Sequence, residues 1–229
     1  MVERVERGGA VHRPARRGGA GALFTAADRA AVEAAVGAAE LRTAAEIVPV
    51  VASSSARHRR AEDIAGVWCA FLALAALALF SPEHQIDGLE ALVAFIVALA
   101  AGTFAAEKIP SLKRLFASRA DLSAAAADGA LRAFRTFGVG ETAGRSGLLL
   151  YVSLFERSAV VIGDIALAGV LSAKDYGAIR DVLLEGLKAD RLPQSLTAAI
   201  GKAGDLLKDK LPRSPDDRPE ITNSLRILG

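Results

Sequence analysis

The chain has 229 residues, of which 52% are hydrophobic and 24% charged, which is enough for one or two domains with a substantial core. Its net charge of +2 excludes a strong whole-chain preference for nucleic acid, and we expect no nucleic-acid partner. The single cysteine, Cys69, excludes a disulfide within the chain and a cysteine-based zinc cluster. P-loop, G-x-S-x-G and G-x-G-x-x-G motifs are absent, and the three histidines are not spaced as metal ligands.

The N-terminal segment, residues 1–22, is rich in arginine and glycine. It has five arginines but no apolar stretch of the kind that a cleavable signal peptide requires. This composition predicts a disordered basic arm exposed to solvent. Binding of the arm to anionic lipid headgroups or nucleic acid is an alternative.

A helix and a strand come next in the chain. Thr25 and Asp28 are spaced as a helix start, and Val32, Val36 and Ala39 then fall on one helical face. The short, β-branched segment Glu46–Ala52 predicts a strand. Its proline, Pro49, cannot donate a hydrogen bond, which favours a sheet edge or a bulge.

Two long apolar runs follow, Ile64–Phe80 and Leu92–Ala106, and neither contains a charged residue. A helix over the 17 residues of the first run spans about 26 Å, close to the ~30 Å of a bilayer core. Neither run has the polar face of a helix in a soluble core. We therefore predict a transmembrane helical hairpin over residues 61–107 with a turn at Ser81–Gly88, and a pair of buried helices in a soluble protein is the alternative.

The distribution of basic residues gives an independent test of the hairpin. Residues 61–107 contain no Lys or Arg, whereas about six would be expected from 28 in 229 residues. Basic residues stand just outside on both sides, including Arg60 and Lys108. The positive-inside rule then predicts a cell-membrane protein whose flanks and termini are cytoplasmic, with the lipid bilayer as a partner.

The rest of the chain returns to α/β patterns. Ser123 is predicted to cap a helix whose inward face carries Leu131, Phe134 and Phe137. Two apolar runs, Leu148–Phe155 and Ser158–Leu167, predict a β-hairpin. Two further helices are predicted, one from Ser172 with Tyr176, Ile179, Leu183 and Leu187 at helical spacing, and one over Gln194–Lys210 with Leu196, Ile200, Ala203 and Leu207 inward.

These elements predict one discontinuous domain. The strand at Glu46–Ala52 has no neighbour close in sequence, so we expect it to pair with Leu148–Phe155 beyond the apolar hairpin. Residues 23–56 and 121–210 then form a small mixed β-sheet flanked by helices, an α/β/α sandwich, and the hairpin is inserted in it. Residues 211–229 are predicted to be a polar, proline-rich C-terminal tail.

Two segments of the sequence resemble the TPM-domain family, which includes thylakoid-lumen acid-phosphatase-like proteins and bacterial membrane proteins. They are FTAADRAAVEAAVGAAELRTAAEIVPVV, with Thr43, Ala45, Glu46 and Ile47 at a family strand start, and LLLYVSLFERSAVVIGDIALAGVL. The resemblance covers about 23–56 and 121–210 and implies an α/β sandwich. It also implies divalent-metal binding, as Ca²⁺ or Mg²⁺, or acid phosphatase activity.

The metal and catalytic residues implied by this resemblance are only partly present. Family members with a proposed ion site show Gly-x-Gly-Leu-Glu-Gly, whereas this chain has Gly163–Gly169 with Ala168 at the Glu position. Asp164 is the remaining candidate metal ligand, although a hard cation requires several oxygens. Candidate catalytic residues are Asp164, Arg145, Glu46 and Thr142, because an Arg can hold a phosphoryl oxygen and acids can bind metal.

Each of these residues also has a structural interpretation. Glu46 and Arg145 are expected to form a salt bridge that orients two strand ends. Asp164 is expected to shape a bulge or turn beside Gly163. Thr142 is expected to cap or bend its loop.

Three functions remain open at this level. The first is a non-enzymatic scaffold or assembly factor at the cytoplasmic face of the membrane, with an unknown membrane protein as partner. The second is a metal-assisted phosphatase or hydrolase of the TPM-domain type, and the third is recognition of acidic lipid or nucleic acid by the basic arm.

Overall fold

The computed structural model describes residues 19–56, 59–80, 87–109, 114, 116–214, 216 and 218–229. It shows a mixed α/β unit, which confirms the predicted mixed sheet flanked by helices. The four strands are β1 (Glu46–Ala52), β2 (Gly147–Ser153), β3 (Ser158–Gly163) and β4 (Arg226–Leu228). Seven α-helices lie in the described ranges: α1 (Ala26–Glu40), α2 (Arg59–Phe80), α3 (Gly88–Lys108), α4 (Arg119–Thr136), α5 (Ile165–Ala168), α6 (Ala173–Lys188) and α7 (Leu192–Leu207).

The sheet has the order β3-β2-β1-β4. β1 pairs in parallel with β2 from Glu46 opposite Gly147, as predicted, and β2 pairs antiparallel with β3. β4 pairs in parallel with only the last part of β1, Val50–Ala52. Pro49 lies just before the part of β1 that pairs with both β2 and β4. At Pro49, β1 pairs with β2 alone.

Side chains alternate between the two faces of the sheet, and each face has its own core. One face of β1 and β2, which includes Ile47, Val51 and Leu150, packs in a core with α1, α6 and α7. The other face, which includes Val50 and Tyr151, packs against α4. Because both faces are buried, β2 reads as a continuous apolar run rather than an alternating one.

Two of the predicted helix starts are confirmed as capping boxes. The Thr25 hydroxyl accepts the N–H of Asp28, while the Asp28 carboxylate accepts the N–H of Thr25. Ser172 and Asp175 make the same reciprocal pair at the start of α6. These hydrogen bonds from Ser172 lower the pKa of Asp175 to about 2.

The predicted start of α4 was wrong. Its cap is Ser118, whose hydroxyl accepts the N–H of Asp121, whereas Ser123 lies inside the helix and its hydroxyl donates to the carbonyl of Ala120. Ser118 was overlooked because the apolar periodicity of this helix begins with small residues.

The predicted inward face of α4 was also wrong in part. Leu131 is 46% exposed, and the aromatic residues Phe134 and Phe137 are only partly buried. The buried face consists of Leu122 and four small residues, Ala126, Gly129, Ala130 and Ala133. Small residues face the sheet because α4 lies close to it: a Cβ on Gly129 would lie 2.6 Å from the Tyr151 hydroxyl.

Three elements have bounds that differ from the sequence prediction. β2 spans Gly147–Ser153 rather than Leu148–Phe155. β3 ends at Gly163 rather than Leu167, because Asp164 begins the short helix α5. α7 spans Leu192–Leu207 rather than Gln194–Lys210. Pro193 lies in the first turn of α7, where a missing N–H costs no intrahelical hydrogen bond, so it starts this helix rather than breaking the chain before it.

The terminal segments join the α/β unit further than the sequence indicated. Ala20 is buried and donates its N–H to the Ser53 hydroxyl, although residues 1–18 of the predicted basic arm lie outside the described residues. Residues 211–229, which the sequence assigns to a tail, include strand β4. The C-terminal segment, defined here as residues 218–229, thus lies across the start of β1 and then extends the sheet.

Helices α2 and α3 pack closely against each other and contact the α/β unit little. α3 is long and apolar enough to cross a membrane by length and composition, with a mean hydropathy of 2.1 and 11% of its apolar window buried. The apolar part of α2, Asp63–Leu79, is shorter. Residues 81–86 of the predicted turn lie outside the described residues.

Candidate functional site

The four sequence-predicted site residues lie at one edge of the sheet. Glu46 starts β1, and Thr142 and Arg145 precede β2, whose first residue Gly147 pairs with Glu46. Asp164 follows β3, whose last residue pairs with Leu148 of β2. This is the edge at which the parallel strands begin.

Arg145 and Asp164 form an ion pair at this edge. Arg145 Nε lies 2.8 Å from Asp164 Oδ2, and Arg145 Nη2 donates to Oδ1 at 3.1 Å. The Asp164 side chain is 6% exposed, whereas that of Arg145 is 52% exposed. The ion pair therefore partly covers a buried carboxylate with a guanidinium that reaches solvent.

The backbone around this ion pair is held tightly. Arg145 has a φ of 50°, and its carbonyl accepts the N–H of Ala166 at 3.1 Å. The N–H of Asp164 donates to Gly147 O at 2.9 Å. These bonds fix the turn beside Gly163 that the structural interpretation of Asp164 predicted.

Glu46 interacts with the C-terminal segment. Its carboxylate accepts the backbone N–H groups of Glu220 and Ile221, both at 3.2 Å. The Glu220 carboxylate in turn accepts the N–H of Ala143, at 2.9 and 3.1 Å to its two oxygens. The observed ion pair of Arg145 is with Asp164, so the two strand starts are linked through the C-terminal segment rather than by the expected bridge from Glu46.

Thr142 has the loop-bending role that the sequence suggested. Its hydroxyl accepts the N–H of Ser146 at 3.0 Å, and its carbonyl accepts the N–H of Arg145 at 2.9 Å. The Ser146 hydroxyl donates to Ala44 O at 2.7 Å and so ties this loop to the residues before β1.

The oxygen ligands available at Asp164 do not fit a hard divalent cation. Ca²⁺ and Mg²⁺ bind several oxygens, including carboxylates that are not already paired with a cation. Here the charge opposite the Asp164 carboxylate is supplied by the Arg145 guanidinium. Among the described ranges, no group of three or more His, Cys, Asp and Glu side chains could hold a metal ion.

Glu40, at the end of α1 near Glu46, has a raised pKa. Burial raises its pKa to about 7, and the hydrogen bond from the N–H of Ile47 to Oε1, 3.0 Å long, lowers the pKa only in part. The charge of Glu46 raises it further, while Asn223 of the C-terminal segment and Arg213 lower it. Sequence reasoning missed this residue because a glutamate at a helix end is usually solvated.

A cleft of about 330 Å³ lies at the opposite edge of the sheet, where the parallel strands β1 and β2 end. We call it the Ser55 cleft. Ligands of open α/β sheets bind outside the carboxyl ends of the strands, which is this edge. Its lining is mixed polar and apolar: Ser54, Ser55, Gly129, Arg132, Ala133, Thr136, Phe137, Tyr151, Leu228 and Gly229.

Two hydroxyls and one guanidinium converge in the Ser55 cleft. The hydroxyls of Ser55 and Tyr151 lie 2.9 Å apart. Arg132, on the exposed side of α4, donates from Nη2 to the carbonyl of Ser55. Burial raises the pKa of the Tyr151 phenol and the bond to Ser55 lowers it in part, so the phenol is a neutral hydrogen-bonding group.

A buried glutamate, Glu156, holds the loop that contains Ser55 by hydrogen bonds. Both Glu156 oxygens accept the N–H of Ser55, at 3.0 and 3.1 Å, and the hydroxyls of Ser54 and Ser153 also donate to this carboxylate. Arg114 lies nearby and donates from Nε to Phe155 O at 2.9 Å. Burial lowers the pKa of Arg114, and Arg157 lowers it further.

The Ser55 cleft was not predicted, although two features of the sequence indicate polar groups at this position. Three serines, Ser53–Ser55, follow directly after β1, and Tyr151 is the polar-tipped residue in the apolar run of β2. The convergence of Arg132 on them required knowledge of which face of α4 meets the sheet.

Fold and site together define an α/β protein with a four-stranded mixed sheet and an inserted pair of apolar helices. The NMR structure of BA42 protein from the psychrophilic bacterium Bizionia argentinensis is similar, with a TM-score of 0.55, 19% sequence identity, and coverage of 89% of this chain and 94% of that chain. At this identity the similarity shows the fold alone. No family model matches the sequence, and no curated protein matches it.

Proposed function

We propose that this protein is a TPM-domain-like membrane protein in which α2 and α3 cross the bilayer as a hairpin. The α/β unit then lies at the cytoplasmic face and acts as a non-enzymatic scaffold or assembly factor for a membrane protein partner. The observation that carries the proposal is the amount of uncovered apolar surface on α2 and α3.

Large apolar side chains on both helices face outward. Leu72 is 64% exposed, and Val97 is 61% exposed. Contiguous exposed apolar surface of this kind requires lipid or another protein to cover it. The residues concerned are Ile64, Val67, Trp68, Phe71, Leu72, Leu79, Leu89, Leu92, Val93, Ile96, Val97 and Phe104.

Small residues make the contact between the two helices. A Cβ on Gly66 would lie 2.9 Å from Leu99 O, and one on Gly102 would lie 2.6 Å from Cys69 Cβ. Close packing through glycine is typical of helix pairs in lipid, where large apolar side chains gain nothing by facing inward. This arrangement supports a membrane hairpin over two helices of a soluble core.

The helix lengths also agree with a bilayer. At ~1.5 Å per residue, the 21 residues of α3 extend about 32 Å, and the shorter apolar part of α2, Asp63–Leu79, extends about 26 Å. The hydrocarbon core of a bilayer is ~30 Å thick. The basic residues flanking residues 61–107 support a cytoplasmic location for both connections to the α/β unit.

The contacts of two candidate catalytic residues support the scaffold role. At the edge predicted to be catalytic, Asp164 is paired with Arg145 and Glu46 binds backbone N–H groups. A metal-assisted phosphatase remains the second proposal. It predicts release of phosphate from an aryl phosphate in the presence of Mg²⁺ or Ca²⁺ and loss of that activity in Asp164→Ala, and this result would overturn the scaffold role.

The anchoring proposal is tested with lysines on the outward face of the helices. Leu72→Lys combined with Val97→Lys should remove the protein from the alkaline-carbonate-resistant membrane fraction, because each lysine at a helix centre costs about 3 kcal/mol on insertion. Leu131→Lys is the matched control, since Leu131 is an exposed leucine on α4 of the α/β unit. It should leave membrane association unchanged.

The orientation is tested by cysteine labelling. With Cys69→Ser as background, Gln85→Cys should react with a membrane-impermeant maleimide added outside intact cells. Labelling only after lysis, or release of the wild-type protein by alkaline carbonate, would contradict the proposal. For the scaffold role, purification in mild detergent should recover one membrane protein in constant ratio, and repeated recovery of the chain alone would contradict it.

A further inference from the structure

We propose that the Ser55 cleft binds the phosphate group of an amphiphilic phosphate ester, and specifically a phospholipid headgroup at the membrane surface. The choice of a lipid as the source of the phosphate rests on the proposed membrane anchoring. The phosphate chemistry itself rests on the side chains that converge in the cleft.

Arg132 supplies the charge for a phosphate. Its hydrogen bond from Nη2 to Ser55 O holds the guanidinium at the cleft, while Nε and Nη1 have no acceptor among the described parts of the chain. The bond to Ser55 uses one of the five N–H groups of the guanidinium, so one of its two fork-shaped edges still has both N–H groups for two phosphate oxygens. Arg132 itself is exposed, so a ligand can reach these donors from outside.

Hydroxyl groups supply further donors. Ser55 and Tyr151 share one hydrogen bond, which uses one of their two hydroxyl hydrogens and leaves the other for a ligand oxygen. Thr136, one helical turn beyond Arg132 on α4, adds a third hydroxyl to the lining. Each hydrogen bond to a charged oxygen is typically stronger than one between neutral groups.

Gly129 is required for this arrangement. A Cβ at this position would lie 2.6 Å from the Tyr151 hydroxyl and 2.9 Å from the Ser55 hydroxyl. Any larger residue would therefore fill the space where α4 approaches the two hydroxyls. The glycine keeps the donors of the cleft together.

The cleft lies on the side of the α/β unit that faces the hairpin. Ser55 comes shortly before α2 begins at Arg59, and Arg114, shortly after α3 ends at Lys108, contacts Phe155 at the same sheet edge. Both connections to the hairpin thus leave from this edge. With the helices in a bilayer, this edge is the one next to the headgroups.

The remaining lining favours an amphiphile over a free anion. Ala133, Phe137 and Leu228 form an apolar side of the cleft beside the polar one. A ligand that has a phosphate next to apolar carbon would contact both sides, whereas inorganic phosphate would contact only one. The volume of about 330 Å³ is suited to one headgroup with its first carbons.

Glu156 is an acid in contact with Ser55, and its hydrogen bonds reduce the degree to which it opposes an anion. Its carboxylate is buried and accepts the N–H of Ser55 and the hydroxyls of Ser54 and Ser153. Arg114 interacts with it electrostatically. Glu156 is not among the residues that line the cleft, whereas Arg132 and Tyr151 are.

The test measures binding of short-chain dihexanoyl phosphatidic acid to the full chain in detergent. Titration calorimetry or the shift in melting temperature gives the affinity. Arg132→Gln and Thr136→Val should each weaken binding, with a loss of about tenfold to a hundredfold for Arg132→Gln. Arg135→Gln is the matched control, because Arg135 is an exposed arginine on the same helix outside the cleft lining. It should leave the affinity within about twofold of the wild type, since exposed charge pairs contribute little.

Inorganic phosphate is the second probe and distinguishes the source of the phosphate. Much weaker binding of inorganic phosphate than of dihexanoyl phosphatidic acid supports a lipid. Equal affinity for the two would overturn the lipid assignment, and equal losses in Arg132→Gln and Arg135→Gln would overturn the site. Because the protein is in detergent, these outcomes do not depend on membrane insertion, which carbonate extraction judges separately.

Discussion

At the scale of single residues, two buried acids differ in whether a cation lies beside them. Asp164 is buried beside Arg145 and keeps an opposite charge close to it, whereas Glu40 is buried without an ion pair of this kind at its carboxylate. Its Oε2 atom is buried and has no hydrogen-bond partner among the described residues. We therefore expect the protonation state of Glu40 to change near neutral pH.

The pKa of Glu40 predicts a pH dependence of stability. Its folded pKa of about 7 lies above the ordinary value of 4.5, so the folded state binds the proton more tightly than the unfolded state. The stabilisation from this group is complete below pH 4.5 and is lost as the pH rises through about 7, by an amount of the order of 3 kcal/mol. Glu40→Gln should remove this dependence and raise the melting temperature at pH 8.

Melting curves of the wild type and Glu40→Gln between pH 5 and pH 8 check this prediction. Asp205→Asn is a suitable control, because Asp205 is an exposed acid paired with Arg42 on the surface. Parallel curves for the wild type and Glu40→Gln over this range would show that Glu40 is charged in the folded protein.

A second residue-scale prediction concerns the turn between β2 and β3. Arg157 has a φ of 49°, in the left-handed region that disfavours side chains with a Cβ. Arg157→Gly should raise the free energy of unfolding by about 1 kcal/mol, and Arg157→Val should lower it by at least as much. Chemical denaturation of both variants tests this order. A loss of stability in Arg157→Gly would show that the arginine side chain contributes more than its backbone costs.

At the scale of elements, small residues decide which helices approach closely. α4 meets the sheet through Gly129 and three alanines, and α2 meets α3 through Gly66 and Gly102. In both places the large apolar residues of the helix lie elsewhere, on a partly exposed or fully exposed face. Periodicity of large residues therefore predicted the wrong inward face for α4.

The contact between α2 and α3 gives an element-scale prediction. Gly102→Ala places a Cβ 2.6 Å from Cys69 Cβ and should separate the helices, whereas Gly88→Ala meets nothing within 4 Å. The rate of maleimide labelling of Cys69 in detergent measures the separation. Labelling should become faster in Gly102→Ala and stay unchanged in Gly88→Ala, and equal rates would indicate that the pair does not pack through glycine.

At the scale of the whole molecule, the C-terminal segment contacts the start of β1, the free edge of β1 and the end of α4. It covers Glu46 through the N–H groups of Glu220 and Ile221, and it adds β4 to the free edge of β1. Arg226 also stacks over the Phe137 ring at 5.5 Å, next to the Ser55 cleft. One segment thus contacts both edges of the sheet.

Stepwise truncation tests this role. Removal of residues 223–229 deletes β4 and should lower the melting temperature. Removal of residues 214–229 also takes away the donors to Glu46 and should lower it further, because a carboxylate that loses hydrogen bonds of this kind costs about 1–3 kcal/mol. Scanning calorimetry of the two truncated chains distinguishes the steps. A truncated chain as stable as the full one would show that the segment is a tail, as its composition suggested.

The sequence by itself determined the elements with strong local signals. The capping boxes at Thr25 and Ser172 and the strand Glu46–Ala52 follow from residue types over a few residues. The pairing of this strand with the run from Leu148 was predicted because no other strand lies near it in the sequence. The two apolar runs were equally plain. Of the candidate site, the sequence predicted that Glu46, Thr142, Arg145 and Asp164 occupy strand ends, and the roles of Thr142 and Asp164 in their turns.

The tertiary structure decided what depends on contacts between distant segments. It paired Arg145 with Asp164, brought residues 218–229 back onto β1, and joined Arg132 of α4 to Ser55 and Tyr151 at the opposite edge. A short strand such as Arg226–Leu228 has no local signal strong enough to be recognised, because it is stable only when β1 offers an unpaired edge. Likewise, the burial that raises the pKa of Glu40 depends on the packing of the folded chain around the end of α1.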